Sequence, residues 1–162
     1  MDQDLLSLTF SVAKALVAQN LTISTAESCT GGLLSHVLTG TSGSSSYFVG
    51  GVVAYSNTIK EKILGVEAET LQAYGAVSEQ TAQEMADGIR VRFGTDIGLS
   101  TTGVAGPTGG TPSKPVGLVW MGISTPGKTK TFECHFKGER LEIMHSTVIE
   151  ILRNLLNYLN TV

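Results

Sequence analysis

The sequence predicts an α/β fold with a mixed sheet, built by one domain that covers residues 1–162. Short apolar, β-branched segments alternate with segments in which apolar residues recur every three or four positions, an alternation typical of layered α/β proteins. Late in the chain, two β-like segments follow each other directly and are separated by Pro126-Gly127. That dipeptide favours a tight turn, so we expect an antiparallel hairpin that makes the sheet mixed rather than purely parallel.

Ten secondary-structure elements are predicted in order along the chain. Five segments rich in apolar and β-branched residues are predicted strands, at residues 21–25, 49–55, 96–102, 116–124 and 129–136. Five segments are predicted helices, at residues 5–16, 33–38, 57–64, 78–94 and 141–159. Asn57 and Ser78 are the predicted N-caps of two of these helices, because their side chains can accept hydrogen bonds from free backbone N–H groups.

Charge and cysteine content limit the classes of function. The formal net charge is −3 and Lys and Arg form no run, so direct binding to nucleic acid is not expected. No segment reaches the roughly 20 uncharged apolar residues of a membrane span, and the N-terminus lacks the positive region of a secretion signal. Cys29 and Cys134 show neither a metal-binding spacing nor a disulfide pattern, which predicts a reduced, cytoplasmic protein without a metal site.

The segment Thr25-Ala-Glu-Ser-Cys-Thr-Gly-Gly32 combines hydroxyls, a carboxylate, a thiol and two glycines between a predicted strand and a predicted helix. Such a turn presents free backbone N–H groups at a helix N-terminus, where anions are favoured. Glycine also allows a ligand to approach the backbone closely. The alternative is a tight turn with an ordinary Ser or Thr helix cap.

The inventory of reactive side chains favours a serine activated by a lysine. The chain has no G-x-S-x-G motif and no cluster of zinc ligands. Lys60 is predicted in the first turns of the helix after Asn57, where the helix dipole and partial burial would lower the pKa of an ammonium group. The alternative for Lys60 is a solvated surface charge. Ser45 lies in the loop before a predicted strand, and Tyr55 ends that strand, where its hydroxyl could approach Lys60.

Six motifs in a fixed order resemble one known family. They are residues 25–32 (TAESCTGG), 43–48 (GSSSYF), 55–57 (YSN) with Lys60, 75–78 (GAVS), 103–107 (GVAGP) and 114–117 (KPVG). Together they are similar to the CinA C-terminal domain family, which includes bacterial nicotinamide mononucleotide deamidases. The resemblance covers nearly the whole chain. It implies a three-layer α/β/α sandwich with a mixed, mostly parallel sheet.

The resemblance also implies roles for individual residues. The catalytic set it implies is Ser45, Lys60, Tyr55 and Ser28. Ser45 is the preferred nucleophile, and the exchange of roles with Ser28 stays open. Substrate-binding residues that it implies are Glu27, Thr30, Gly31, Gly32, Thr102, Gly103 and Arg140. Glu27 has an alternative role as a carboxylate that accepts backbone N–H groups, and Cys29 is expected to be a small buried residue rather than a nucleophile.

The implied activity is hydrolysis of the carboxamide of nicotinamide mononucleotide, without a cofactor or metal, in pyridine-nucleotide salvage. Two other functions stay open. One is a non-catalytic interaction module related to competence or DNA damage, and the other is an amidase that acts on a different small amide. A homodimer is expected for a small cytoplasmic enzyme of this kind.

Overall fold

The computed structural model describes residues 3–162 and confirms the α/β fold. Its helices are α1 (Gln3–Gln19), α2 (Leu33–Thr39), α3 (Asn57–Leu64), α4 (Ala68–Tyr74), α5 (Glu79–Phe93) and α6 (Arg140–Leu159). Its strands are β1 (Ile23–Glu27), β2 (Phe48–Val53), β3 (Ile97–Gly103), β4 (Leu118–Thr125) and β5 (Lys128–His135). A single 3₁₀ turn in this part of the chain, Ser44–Ser46, immediately precedes β2. No helix within residues 3–162 is long and apolar enough to cross a bilayer.

The five strands form one mixed sheet in the order β2-β1-β3-β4-β5. β1 pairs in parallel with both β2 and β3, whereas β3 with β4 and β4 with β5 pair antiparallel. The predicted late hairpin is therefore confirmed, with its turn at Pro126-Gly127 between β4 and β5. The parallel half of the sheet is produced by crossover connections that contain helices, as parallel pairing requires.

Helices cover both faces of the sheet and bury a separate apolar cluster on each side. On one face, α1, α2 and α6 pack together, with a core that includes Leu16, Leu34 and Leu152. On the other face, α5 packs across β1, β3 and β4, with α3 and α4 beside it, and the smaller cluster includes Met85 and Ile89. This is the three-layer α/β/α arrangement that the resemblance implies.

Several details of the prediction need correction. β2 ends at Val53 rather than at Tyr55, and β4 begins at Leu118 rather than at Val116. β1 begins at Ile23 and ends at Glu27, two residues later than predicted, because its polar residues are buried and hydropathy does not mark the strand end. The N-cap of α3 is Ser56 rather than Asn57, since the Ser56 hydroxyl accepts a hydrogen bond from the backbone N–H of Ile59. Helix α4 has no counterpart in the prediction.

The carboxyl end of β1 is the point where the chain connections diverge. The chain leaves β1 through α2 to reach β2 on one side, and β3 lies on the other side of β1. In open α/β sheets, ligands bind in the crevice outside the carboxyl ends of strands at such a switch point. The topology alone therefore indicates the turn that follows Glu27 as a binding region.

A buried carboxylate holds this turn in place. Glu27 is fully buried, and its Oε2 accepts hydrogen bonds from the Thr30 hydroxyl at 2.6 Å and the Leu34 N–H at 3.0 Å. Its Oε1 accepts from the N–H and the hydroxyl of Ser35, at 2.8 and 2.6 Å. The Gly32 N–H completes the set at 3.1 Å. All five partners are donors, so the side chain satisfies the free N–H groups at the N-terminus of α2 and fixes that helix to β1.

We expect Glu27→Gln to lower the free energy of unfolding by about 2–4 kcal/mol, because an amide NH₂ would face buried donors that then lack an acceptor. The measurement is urea denaturation followed by circular dichroism. The matched control is Glu61→Gln on the exposed surface of α3, which should change stability by less than about 0.5 kcal/mol. Equal stability of the Glu27→Gln and Glu61→Gln variants would contradict the role given to this carboxylate.

Candidate active site

Lys60 is a buried lysine in the second turn of α3. Its side chain is only 1% exposed, although the helix is short and its other face is open to solvent. Because α3 follows β2 directly, Lys60 extends toward the carboxyl ends of β1 and β2. A fully buried lysine is rare unless its amine has defined partners.

Three oxygen atoms surround the Lys60 amine. Nζ lies 2.8 Å from the Ala54 carbonyl oxygen, 3.1 Å from Ser28 Oγ and 3.5 Å from the Tyr55 carbonyl oxygen. A neutral amine has two N–H groups and one lone pair. As an ammonium, the group donates to all three oxygens. As a neutral amine, it can donate to the two carbonyl oxygens, which only accept, and its lone pair is then directed at the Ser28 hydroxyl.

Burial lowers the pKa of Lys60 from its ordinary value of 10.5, because removal from water disfavours the charged ammonium. Within residues 3–162, no carboxylate forms an ion pair with this amine that would oppose the shift. The lowered pKa and the contact with a hydroxyl are the two properties that a lysine general base requires.

Ser28 lies in the first position after β1, and the turn holds it from both sides. Its backbone N–H donates to the Thr101 carbonyl oxygen of β3 at 2.9 Å, and its own carbonyl oxygen accepts from the Gly31 N–H at 3.1 Å. The side chain is half-buried, so its hydroxyl contacts Lys60 and remains within reach of a ligand. Gly31 and Gly32 both adopt positive φ angles, 59° and 102°, that other residues rarely adopt.

The expectation that Ser45 lies beside Lys60 is wrong. Ser45 is exposed in the 3₁₀ turn at the amino end of β2, whereas Ala54 and Lys60 follow the carboxyl end of the same strand. β1 and β2 are parallel, Ser45 precedes the amino end of β2, and Ser28 follows the carboxyl end of β1. The two serines therefore lie beyond opposite ends of the strands. The alternative that the sequence left open, in which Ser28 is the partner of Lys60, is the one that the geometry supports.

Arg140 and Tyr55 meet beside this pair, at the surface. The guanidinium of Arg140, at the start of α6, donates to the Tyr55 hydroxyl at 3.0 Å and to the Gly106 carbonyl oxygen at 2.9 Å. The expected approach of the Tyr55 hydroxyl to Lys60 is wrong, because only the Tyr55 carbonyl contacts the amine. Both side chains are exposed, so the guanidinium is oriented and accessible to an anion.

Other predicted site residues serve the scaffold. Glu27 is fully buried and accepts hydrogen bonds from backbone N–H groups, which is the alternative role that the sequence leaves open for it. Thr30 is fully buried, and its hydroxyl lies between Glu27 Oε2 and the Thr101 hydroxyl.

The Thr102 hydroxyl donates to the Ala76 carbonyl oxygen at 2.6 Å. Gly103 ends β3, where any side chain would collide with Val119 of β4. The expectation of direct substrate contact through the Glu27 carboxylate and the two threonine hydroxyls therefore lacks geometric support.

Cys29 is a buried structural residue, as expected. It is 6% exposed, and burial raises the pKa of its thiol to about 12, which keeps the sulfur protonated and poorly nucleophilic. Within residues 3–162, no three His, Cys, Asp or Glu side chains are grouped so that they could hold a metal ion.

Two backbone groups that shape the site have no counterpart in the prediction. The carbonyls of Ala54 and Thr101 hold the Lys60 amine and the Ser28 backbone, respectively. Backbone acceptors have no residue signature, so they could have been found only from a correct strand register. Lys114 of the KPVG motif has no predicted role. In the structure its amine donates a hydrogen bond to the Tyr74 carbonyl oxygen at the end of α4.

The fold and the site define an α/β/α protein with a half-buried serine in contact with a buried lysine at the switch point of its sheet. Residues 6–159 match the family model of the CinA C-terminal domain, so the chain belongs to that family. A CinA-like protein of Kosmotoga olearia is 55% identical over 137 residues, which is 85% of this chain and 33% of that protein. The chain spans about a third of the length of the curated relatives it matches.

Solved structures agree with this assignment over nearly the whole chain. A CinA superfamily protein from Klebsiella pneumoniae has a TM-score of 0.95 at 36% identity, covering 99% of this chain and 100% of its own. A competence/damage inducible protein from Agrobacterium tumefaciens has a TM-score of 0.95 at 40% identity, covering 99% and 98%.

Proposed function

We propose that the protein is an amidohydrolase that converts nicotinamide mononucleotide and water to nicotinic acid mononucleotide and ammonia, with Ser28 as nucleophile and Lys60 as general base. The observation that carries the proposal is the 3.1 Å contact between Ser28 Oγ and the buried Lys60 amine. Membership in the CinA C-terminal domain family supports it, since that family includes deamidases of this nucleotide.

In the first half of the reaction, Lys60 accepts the Ser28 proton as Oγ attacks the carboxamide carbon. The tetrahedral intermediate then collapses as the C–N bond breaks, and the Lys60 ammonium returns its proton to the departing nitrogen, which leaves as ammonia. Nicotinic acid mononucleotide remains bound as an ester of Ser28. Splitting the hydrolysis in this way replaces one difficult step by two easier ones.

In the second half, water attacks the ester carbonyl while Lys60 accepts its proton. The ester C–O bond breaks, the proton passes to Ser28 Oγ, and the carboxylate product is released. Lys60 therefore alternates between neutral and charged forms. Both forms fit its surroundings, because the Ala54 and Tyr55 carbonyls accept from the amine as well as from the ammonium.

Arg140 is the proposed partner of the substrate phosphate. Its guanidinium is exposed, yet contacts with Gly106 and Tyr55 fix its direction, so little side-chain entropy is lost when an anion binds. The neighbouring turn includes Gly31 and Gly32, and the absence of side chains there lets the same charged end of the substrate approach the backbone closely. Their own N–H groups already donate to Ser28 and Glu27, so the guanidinium is the proposed donor to the phosphate.

We expect Ser28→Ala and Lys60→Met each to lower kcat by at least about 10³-fold, because residues that act as one catalytic unit lose most of the rate when either is removed. The matched control is Ser45→Ala, which should retain the wild-type rate. The measurement is ammonia release from nicotinamide mononucleotide, with circular dichroism to confirm folding. Full activity in the Ser28→Ala variant together with a loss in Ser45→Ala would contradict the assignment.

We expect Arg140→Ala to raise KM for nicotinamide mononucleotide between about 10- and 100-fold, the loss of a charge-assisted hydrogen bond to phosphate. KM for nicotinamide riboside, which lacks the phosphate, should change little. Arg153→Ala, another exposed arginine of α6, is the control. A similar rise in KM for both substrates would count against phosphate recognition by Arg140 and leave the Ser28–Lys60 chemistry to be judged separately.

A further inference from the structure

The two edge strands of the sheet differ in how they are protected. In the described part of the chain, β2 and β5 are the outer strands. β5 has charged residues at Lys128, Lys130 and Glu133, and charged side chains are a common means of preventing edge strands from pairing. β2 reads Phe-Val-Gly-Gly-Val-Val and has no charged residue, no proline and no polar side chain. Its free edge is therefore open to another strand.

The exposed side chains of β2 are apolar and symmetric. Val49 is 54% exposed and Val53 is 49% exposed, and the residue between them on the same face is Gly51. Gly51 cannot have a side chain, because a Cβ there would lie 2.2 Å from the Thr25 hydroxyl oxygen. The exposed face of the strand thus reads valine, glycine, valine in either direction along the chain.

We propose that β2 pairs antiparallel with β2 of a second copy of this chain, so that the two five-stranded sheets become one continuous ten-stranded sheet. A two-fold axis through Gly51 places Val49 of each copy directly opposite Val53 of the other. Both valine pairs then form cross-strand apolar contacts of the kind that stabilises sheets. Gly51 of each copy lies at the axis. Any larger residue at this position would have to pack against the same residue of the other copy.

The second copy fits this edge better than an unrelated peptide does. In an isologous interface the same surface must be complementary to itself, and an uncharged strand with a palindromic pattern of exposed side chains has that property. The unpaired backbone N–H and C=O groups of one β2 find their partners in the other, and neither copy brings a charge into the interface.

The interface would end beside the proposed active site without forming part of it. Val53 is followed by Ala54, whose carbonyl accepts the hydrogen bond from the Lys60 amine. Pairing of β2 on both sides would restrict the backbone that holds this carbonyl. The inference concerns assembly and does not depend on the reaction proposed above.

The test is the mass of the protein in solution by sedimentation velocity. We expect wild-type protein to sediment as a dimer and Val49→Lys to sediment as a monomer with unchanged circular dichroism, because a lysine on the edge blocks strand pairing. Phe10→Lys is the matched control, since Phe10 is 61% exposed on α1 and belongs to a different apolar surface. The Phe10→Lys variant should remain dimeric.

Oxidative cross-linking tests the register. Directly opposite residues of antiparallel strands have Cα atoms about 4.5–5.5 Å apart, which suits a disulfide. The double variant Val49→Cys/Val53→Cys should therefore form a covalent dimer on mild oxidation. Wild type, Val49→Cys and Val53→Cys alone should not, because each new thiol then faces a valine.

Three results would overturn the proposal. They are a wild-type protein that is monomeric at every concentration, a Val49→Lys variant that remains dimeric, and dimer loss in Phe10→Lys but not in Val49→Lys. A covalent dimer of the Val49→Cys variant alone would also contradict the register, since residue 49 would then lie next to its own copy.

Discussion

The structure depends on a fully buried glutamate at the end of β1, an interior strand of the sheet. The Glu27 carboxylate accepts five hydrogen bonds from the turn and first residues of α2. Those donors would otherwise be unpaired helix N–H groups and buried hydroxyls, each costly to leave unsatisfied. The turn, fixed in its place, sets the backbone position of Ser28. The same carboxylate that stabilises the junction of β1 and α2 therefore positions the proposed nucleophile.

The Lys60 amine is the complementary constraint from the neighbouring strand. It is buried against the Ala54 carbonyl and the Ser28 hydroxyl. The β2–α3 unit therefore places the base next to the serine that the β1–α2 unit positions. Burial of an amine disfavours its charged form, and proteins accept such a cost mainly where the group has a function. Burial of the Lys60 amine thus accounts both for the cost of desolvation and for the lowered pKa that the proposed base requires.

Sequence reasoning predicted the fold well and the site in part. Apolar spacing located the sheet and most helices, because burial of one face leaves a periodic signal. The place of Lys60 near a helix N-terminus and the place of Ser28 in a strand-to-helix turn both predict a functional role. The choice of Ser45 failed for a topological reason. Loops that lead from a strand to a helix lie at the carboxyl edge of a parallel sheet, and loops that lead from a helix to a strand lie at the opposite edge.

That rule could have been applied to the sequence, since Ser45 falls between a predicted helix and a predicted strand. The hydrogen bonds of Thr102 and the carbonyl of Ala54 could not have been predicted, because they depend on the register of packed strands. The two-residue error in β1 has a different cause. A strand whose buried residues include Ser24, Thr25 and Glu27 has no hydropathy signal at its end.

The central claim is that burial beside Ser28 lowers the pKa of the Lys60 amine, which makes its neutral form available as a base. The most direct measurement is an NMR titration of protein labelled with ¹³C at lysine Cε, with the Lys60 signal identified by its absence from the Lys60→Met variant. The account predicts a titration midpoint below the ordinary lysine pKa of 10.5. A midpoint at or above that value would mean a charged amine throughout the working range and would contradict the proposed role of Lys60 as a base.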